Sequence, residues 1–131
     1  MWELSTDQGA RYITDWNEVE PLLDRLDNKQ HAYISLALED GTRYMEIYGG
    51  NQNRVVVAFT DETDDEEEVV LYDETQTEPI MIYSMPDNEP WEGLPPASCI
   101  DKALAKRALK TFFDTQERPE NLDWRVWPDE E

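Results

Sequence analysis

The sequence predicts an α+β domain in which two helices pack on one face of a mostly antiparallel sheet of five to six strands. Two segments, one near each end, carry apolar residues at helical spacing. Between them lie short segments in which apolar and polar residues alternate, separated by turns of a few residues. Connections this short join neighbouring antiparallel strands, so we expect a meander. The length of 131 residues suits a single domain, 1–131.

The N-terminal part predicts one short strand and then the first helix. Residues 1–14 contain enough apolar positions for a strand. In the segment TDWNEVEPLLDRLDN, residues 14–28, apolar side chains recur at helical spacing. We expect Asn17 to cap this helix, because Pro21 then lies in the first turn, where a proline removes little hydrogen bonding. Asp27-Asn28 is expected to end the helix.

Four strands follow in the middle of the chain. HAYISLAL, residues 31–38, and RYMEIY, residues 43–48, are joined through Asp40-Gly41, a strong hairpin signal. RVVVAF, residues 54–59, and VVLYD, residues 69–73, are the next two. Alternation in the second strand places three side chains together on one face: Tyr44, Glu46 and Tyr48.

A proline-rich loop separates these strands from the second helix. Ile80–Tyr83 form either a fifth strand or a continuation of the sheet. The stretch 84–98, with four of the eight prolines, is expected to cross the domain as an irregular loop.

The C-terminal third predicts a helix and a closing strand. Ile100, Leu104, Ala108 and Phe112 recur every four residues along one face of this helix. Either Ser98 or Asp101 can cap it, and it should end near Pro119. A basic stripe of Lys102, Lys106 and Lys110 is expected to be solvated or paired with acids. Residues 121–127 close the chain as a strand.

The net charge limits the kinds of partner. Eleven Lys+Arg against 31 Asp+Glu give a formal net charge of −20. Nucleic acids and anionic membranes bind positive surfaces, so we expect neither as a direct partner. A field of this sign favours basic proteins and makes association sensitive to salt. Solubility alone is the alternative explanation of such acidity.

Catalytic, metal and cofactor sites have little support in the sequence. The one histidine, His31, stands at the start of a predicted strand, where a surface or strand-end residue is expected more often than a general base. Zinc sites are built mostly from several cysteines and histidines, and this chain has one of each, so we do not expect a zinc site at His31 and Cys99. We therefore predict no catalytic residue, metal or cofactor, although a hydrolase or metal-dependent enzyme with clustered carboxylates stays a rival hypothesis. Neither a signal peptide nor a membrane-length apolar run is visible, so we expect a cytoplasmic protein.

The run DETDDEEE, Asp61 to Glu68, has seven acidic residues in eight positions. One interpretation is a solvated loop whose charge opposes edge-to-edge association of sheets. The other is a mimic of a phosphate backbone that enters the basic groove of a nucleic-acid-acting protein. The candidate contacts in the run are Asp61, Glu62, Asp64, Asp65, Glu66, Glu67 and Glu68.

A second candidate contact is the loop at residues 86–95. It carries Trp91 between Glu89 and Glu92, an arrangement typical of an interface anchor. The alternative is that Trp91 folds back over the core.

The segment ALAKRALKTFFDTQERPENLDW, Ala103 to Trp124, has a helix ending in two aromatic residues, a polar linker, a proline and a strand with tryptophan. In these features it resembles the type-1 immunity proteins of bacterial polymorphic toxin systems. The positions that carry the resemblance are Phe112, Phe113, Pro119 and Trp124. They are expected to be structural, holding the helix to the last strand.

The resemblance implies a non-catalytic inhibitor that binds a cognate toxin domain in the cytoplasm. Toxins paired with this family are often nucleic-acid deaminases, whose basic substrate site an acidic inhibitor would complement, and this favours the phosphate-mimic interpretation of Asp61–Glu68. We expect a monomer that forms a 1:1 complex. The candidate aromatic anchors are Tyr44, Tyr48, Tyr83 and Trp91. The main rival is a stand-alone acidic nucleic-acid mimic that regulates a DNA- or RNA-binding protein.

Overall fold

The computed structural model describes residues 2–6, 9–27, 31–62, 68–78, 82–84, 89–90 and 95–126. The strands are β1 Trp2–Thr6, β2 Gly9–Ile13, β3 Tyr33–Leu38, β4 Arg43–Gly49, β5 Arg54–Asp61, β6 Val69–Tyr72, β7 Tyr83–Ser84, β8 Glu89–Pro90, β9 Ile100–Asp101 and β10 Asp123–Val126. The helices are α1 Glu20–Arg25 and α2 Lys102–Thr115. Short 3₁₀ turns lie at Trp16–Glu18, Asn51–Asn53 and Pro96–Ser98.

The main sheet has the strand order β10-β6-β5-β4-β3-β1-β2, with β9 paired to the start of β5. Every pairing between described strands is antiparallel, and β3 to β6 form the expected meander. The α+β class, the mostly antiparallel sheet and the two helices are therefore confirmed. The predicted five to six strands are wrong, because this sheet has eight.

The additional strands come from two places. The N-terminal segment forms a hairpin, in which Trp2 pairs with Ile13 and Thr6 pairs with Gly9, instead of one strand. The two residues of β9 pair with Arg54 and Val55 just before α2 begins. Of the segment predicted as a further strand, Tyr83 begins β7, which pairs with β8 in a separate two-stranded sheet.

The first helix is shorter than predicted and begins later. A 3₁₀ turn precedes it, and the carboxylate of Asp15 caps this turn by accepting the N–H of Asn17 at 2.9 Å. Asn17 is therefore not the cap. Pro21 lies in the first turn of α1, as expected, since a proline there loses no helical hydrogen bond.

The second helix is capped at both ends. A carboxylate oxygen of Asp101 accepts the N–H of Leu104 at 2.9 Å, so Asp101 rather than Ser98 is the N-cap. Gln116 adopts a left-handed conformation with φ of 66° and donates its N–H to the carbonyl of Phe112 at 2.7 Å. This C-cap ends α2 at Thr115, earlier than the position of Pro119 suggested.

Both helices contribute to a core on one face of the sheet. Phe112 is fully buried, and its ring meets Trp2 with centroids 5.0 Å apart and Phe59 with centroids 5.4 Å apart. Trp124 also lies beside Phe59, with ring centroids 6.3 Å apart, and donates its indole N–H to the carbonyl of Pro119 at 2.8 Å. Through Phe59, α2 and β10 are held on the same sheet.

A smaller core covers part of the opposite face. Val56 and Val70 pack there with Ile82 and Cys99, which lie before β7 and before β9. Arg54, only 9% exposed, ties this segment to β5 by donating to the carbonyls of Cys99 and Pro96. This second core packs over β5 and β6. The β3–β4 part of the same face lies outside it and is therefore a candidate surface for partners.

Candidate partner-binding face

The outer side of the β3–β4 hairpin carries a group of tyrosine and polar side chains, which we call the tyrosine face. Its members are Tyr33, Ser35, Tyr44, Glu46 and Tyr48. They lie together because their neighbours Ile34, Leu36, Met45 and Ile47 point into the helix-side core. The three tyrosines and Glu46 are half-buried, so each side chain keeps exposed surface.

The pairing register places two of these tyrosines next to each other on adjacent strands. Tyr33 lies directly opposite Tyr48, and their ring centroids are 5.2 Å apart with a tilt of 39°. The Tyr33 hydroxyl donates to a carboxylate oxygen of Glu46 at 3.1 Å. Diagonal neighbours on adjacent strands are within reach of long side chains, which explains this contact.

The site has a negative electrostatic environment. Burial, and then the charge of Glu46 and its hydrogen bond with the hydroxyl, raise the pKa of Tyr48 well above its usual range, and Glu68 adds to the rise. Burial also raises the pKa of Tyr33, with a contribution from Glu46. Both tyrosines are therefore neutral hydroxyls near fixed negative charge at physiological pH.

The three lysines of α2 lie on the other side of the sheet and bind neighbouring groups. Lys106 pairs with Asp24 at 3.1 Å, and Lys110 pairs with Asp114 at 2.9 Å. Lys102 donates to main-chain carbonyls at the end of α1, including that of Leu26. The expected pairing with acids therefore holds for Lys106 and Lys110, whereas Lys102 binds carbonyls.

Two arginines lie on the same side of the sheet as the tyrosine face, and both already bind other groups of the chain. Arg54 is buried against main-chain carbonyls in the second core. Arg125 pairs with Asp123 at 2.7 Å and with Glu74 at 3.0 Å at the β10 edge. Among the described residues, the charged side chains nearest the tyrosines are therefore acidic.

The two ends of the acidic run lie in different surroundings. Asp61 closes β5 and forms an ion pair of 3.0 Å with Arg43, which also donates to the carbonyl of Gln116. Glu62 is exposed, and its N–H donates to the carbonyl of Thr42 at 2.8 Å. Glu68 is half-buried near Tyr48. The four residues between them that were predicted as contacts lie outside the described residues: Asp64, Asp65, Glu66 and Glu67.

The second predicted loop is described only in part. Trp91 and Glu92 lie outside the described residues. The backbone at Tyr83 and Glu89 belongs to the small hairpin of β7 and β8, and β7 lies against β4. The structure therefore brings Tyr44, Tyr48, Glu68 and the β7 backbone to the same side of the sheet.

Three members of the tyrosine face were not among the predicted site residues: Tyr33, Ser35 and Glu46. The alternating pattern placed Glu46 on one face with Tyr44 and Tyr48, but only the two tyrosines were chosen as candidate contacts. Counting outward from the Asp40-Gly41 turn pairs Tyr33 with Tyr48, which the structure shows to be the actual register. The signal was therefore present in the hairpin register, and residue type alone did not reveal it.

Other reactive side chains are placed as follows. His31 and Asp27 bind each other through main-chain groups and the Asp27 carboxylate, at 2.8 and 3.1 Å. Cys99 is buried, and burial raises the pKa of its thiol. In the described ranges, no three His, Cys, Asp or Glu side chains come together as metal ligands. No helix in the same ranges is long and apolar enough to cross a membrane.

Comparison with known proteins identifies the family. The family model described as Immunity protein Imm1 matches residues 7–126, which covers both helices and nearly all of the main sheet. A search of curated protein sequences gives no match. The family model confirms the resemblance seen in the C-terminal segment and extends it over most of the chain. The chain belongs to the Imm1 immunity protein family.

Proposed function

We propose that this protein neutralises a cognate toxin that acts on nucleic acid, a deaminase or a nuclease, by covering its basic substrate site. The observation that carries the proposal is the tyrosine face, where half-buried tyrosines and carboxylates share one surface. Tyrosines are frequent interface anchors, because they bury a large area while ordering few torsions. Family membership supports the immunity role, and this surface supports the choice of a basic partner.

The distribution of charge supports the same side of the molecule. The lysines of α2 pair with acids and carbonyls on the helix side, whereas Glu46 and Glu68 lie with the tyrosines. A toxin that binds nucleic acid needs a positive channel, which attracts a surface of the opposite sign. In this proposal the acidic run between Asp61 and Glu68 imitates a phosphate backbone, and the tyrosines supply most of the binding energy.

The proposal includes the form of the complex. Two copies with a formal charge of −20 repel each other, which favours a monomer that binds one toxin domain. The protein acts by occupancy without turnover, and it acts in the cytoplasm, where the toxin would meet nucleic acid.

Co-expression tests the function directly. Cells that produce the toxin domain encoded by the neighbouring gene should survive when they also produce this protein, and the purified proteins should form a 1:1 complex. Lack of protection together with lack of a complex would contradict the immunity proposal. Binding instead to a DNA- or RNA-binding protein of the host, without protection, would favour the rival role of a stand-alone acidic regulator.

Variants locate the surface. Tyr44→Ala should weaken the complex by about 1–3 kcal/mol, the range of an interface anchor. Tyr12→Ala is a matched control, because Tyr12 is 60% exposed on the edge strand β2, away from the β3–β4 hairpin. Equal effects of the two variants would place the interface elsewhere.

A further inference from the structure

We propose that the cluster of Tyr33, Glu46 and Tyr48 receives one arginine side chain of the partner protein. The inference rests on the proposed function and makes it more specific. The cluster combines a carboxylate with two aromatic rings on adjacent strands. A guanidinium suits this combination, because it stacks on aromatic faces and donates paired hydrogen bonds to a carboxylate.

The geometry leaves room at the carboxylate. The Tyr33 hydroxyl donates to one oxygen of Glu46 at 3.1 Å, and the Tyr48 hydroxyl also forms a hydrogen bond with Glu46. An ionised carboxylate offers about four acceptor positions, so two hydroxyl donors do not saturate it. The two hydroxyls hold the carboxylate beside the rings, so little side-chain entropy remains to be lost when a ligand binds.

The electrostatics point to a cation that the described part of the chain does not supply. Glu46 is half-buried and forms no ion pair with any described residue. The arginines on this side of the sheet are bound to main-chain carbonyls or to Asp123 and Glu74. A carboxylate partly removed from water without a cation is unfavourable, and an incoming guanidinium offsets that cost.

The chemistry of the expected partner makes arginine a better ligand than lysine for this cluster. Arginine recognises phosphate and nucleic acid through a planar fork, so a substrate channel for nucleic acid commonly presents it. Its guanidinium is more weakly hydrated than an ammonium and stacks on aromatic rings more readily. An inhibitor that occupies such a channel therefore needs a receptor for a guanidinium.

Glu46→Gln tests the inference in the complex. Glutamine keeps an acceptor for the Tyr33 hydroxyl and removes only the charge, so the fold is expected to survive. We expect the dissociation constant for the toxin to rise about tenfold to a hundredfold, the range for a hydrogen bond to a charged group. Glu3→Gln is the matched control, because Glu3 lies on the same side of the sheet, two strands away in β1. Equal effects of the two variants would overturn the inference while leaving the immunity function intact.

A measurement without the toxin separates the inference from the proposed function. Methylguanidinium chloride is added to the full chain, and the NMR signals of the tyrosine rings are followed at constant ionic strength. We expect saturable shifts at Tyr33 and Tyr48 that Glu46→Gln abolishes. Equal shifts with methylammonium, or shifts spread over all carboxylates, would show general cation attraction and would refute an arginine site. A chain that shows the specific shifts but binds no toxin would refute the proposed function alone.

Discussion

At the scale of single residues, the fold and the candidate site use aromatic side chains differently. Phe112 is fully buried between Trp2 and Phe59, where it fills the helix-side core. Tyr33 and Tyr48 are half-buried on the other side of the sheet, where their hydroxyls contact Glu46. The first group stabilises the protein, and the second presents a prepared surface. Substitutions should separate these two roles.

Phe112→Ala should lower the free energy of unfolding by about 3–5 kcal/mol, because it leaves a cavity among Trp2, Phe59 and α2. This loss is a large share of the roughly 5–15 kcal/mol that stabilises a domain. Urea denaturation followed by tryptophan fluorescence measures it. Tyr12→Ala, at a side chain that is 60% exposed, should cost less than about 1 kcal/mol. Similar losses at the two positions would contradict the assigned core.

The tyrosine face predicts a dependence of stability on alkaline pH. Burial, followed by the negative charge nearby, raises the pKa of Tyr48 in the folded chain. The unfolded chain releases this proton near pH 10, so the stabilisation is complete below about pH 10 and is lost as the pH rises towards the folded pKa. The slope is at most about 1.4 kcal/mol per pH unit, and less here because the ring is half-buried.

Tyr48→Phe removes the titrating group. Between about pH 9 and about pH 11 the wild-type chain should lose more stability than the variant. Urea denaturation of both proteins across this range measures the difference. Parallel curves for the two proteins would show that Tyr48 is not linked to folding.

At the scale of elements, the hairpin and most of α2 were predicted because local signals determine them, whereas Ile100, which the spacing assigned to this helix, lies in β9. The Asp40-Gly41 turn and the alternating pattern specify β3 and β4 within a few residues, and Asp101 provides the cap of α2. By contrast, β2 was missed, because four of its five residues are exposed and give no alternating pattern. Pairing with β1 defines that strand, and such pairing is a tertiary effect.

The candidate site was predictable to a similar degree. Alternation brought Tyr44 and Tyr48 to one face, whereas the contact of Tyr33 with Glu46 depends on the register between two strands. The surroundings of Asp61 were not predictable from charge, because its ion pair with Arg43 joins two strands. Arg43 in turn binds the carbonyl of Gln116 at the end of α2. Long-range pairing therefore decides which acids are available to a partner.

Gly50 marks a contact between elements that a substitution can test. It has φ of +116°, and a Cβ there would lie 2.6 Å from the carbonyl oxygen of Leu26 at the end of α1. Gly41 also has a positive φ, of +76°, but a Cβ there would meet nothing within 4 Å. Both Gly→Ala variants should pay about 1–2 kcal/mol for the left-handed backbone. Gly50→Ala should cost about 1–3 kcal/mol more, because main chain must move.

Thermal or urea denaturation of the two alanine variants measures this difference. If both variants lose the same stability, the main chain at Gly50 does not lie against Leu26 at the end of α1.

At the scale of the whole molecule, charge is separated between two sides. The lysines of α2 are paired on the helix side, whereas Glu46 and Glu68 lie with the tyrosines on the other side. Such a separation orients an approaching basic protein before contact, which affects the association rate more than the dissociation rate.

Glu62→Lys and Glu68→Lys should therefore slow association with the toxin at low salt. The effect should shrink as salt approaches about 1 M, where the screening length is near 3 Å. Glu18→Lys makes the same charge change at an exposed position just before α1. Stopped-flow association rates at several salt concentrations compare the three variants. If Glu18→Lys slows association as much as the other two, steering comes from net charge and has no preferred side.

A footprint of the complex shows directly whether the tyrosine face binds the toxin. Hydroxyl-radical labelling reports the solvent exposure of aromatic side chains with and without the toxin. We predict that Tyr33, Tyr44 and Tyr48 lose reactivity in the complex, while Trp16, half-buried on the helix side, keeps it. Protection of Trp16 with unchanged reactivity of the three tyrosines would contradict the tyrosine face as the toxin-binding surface.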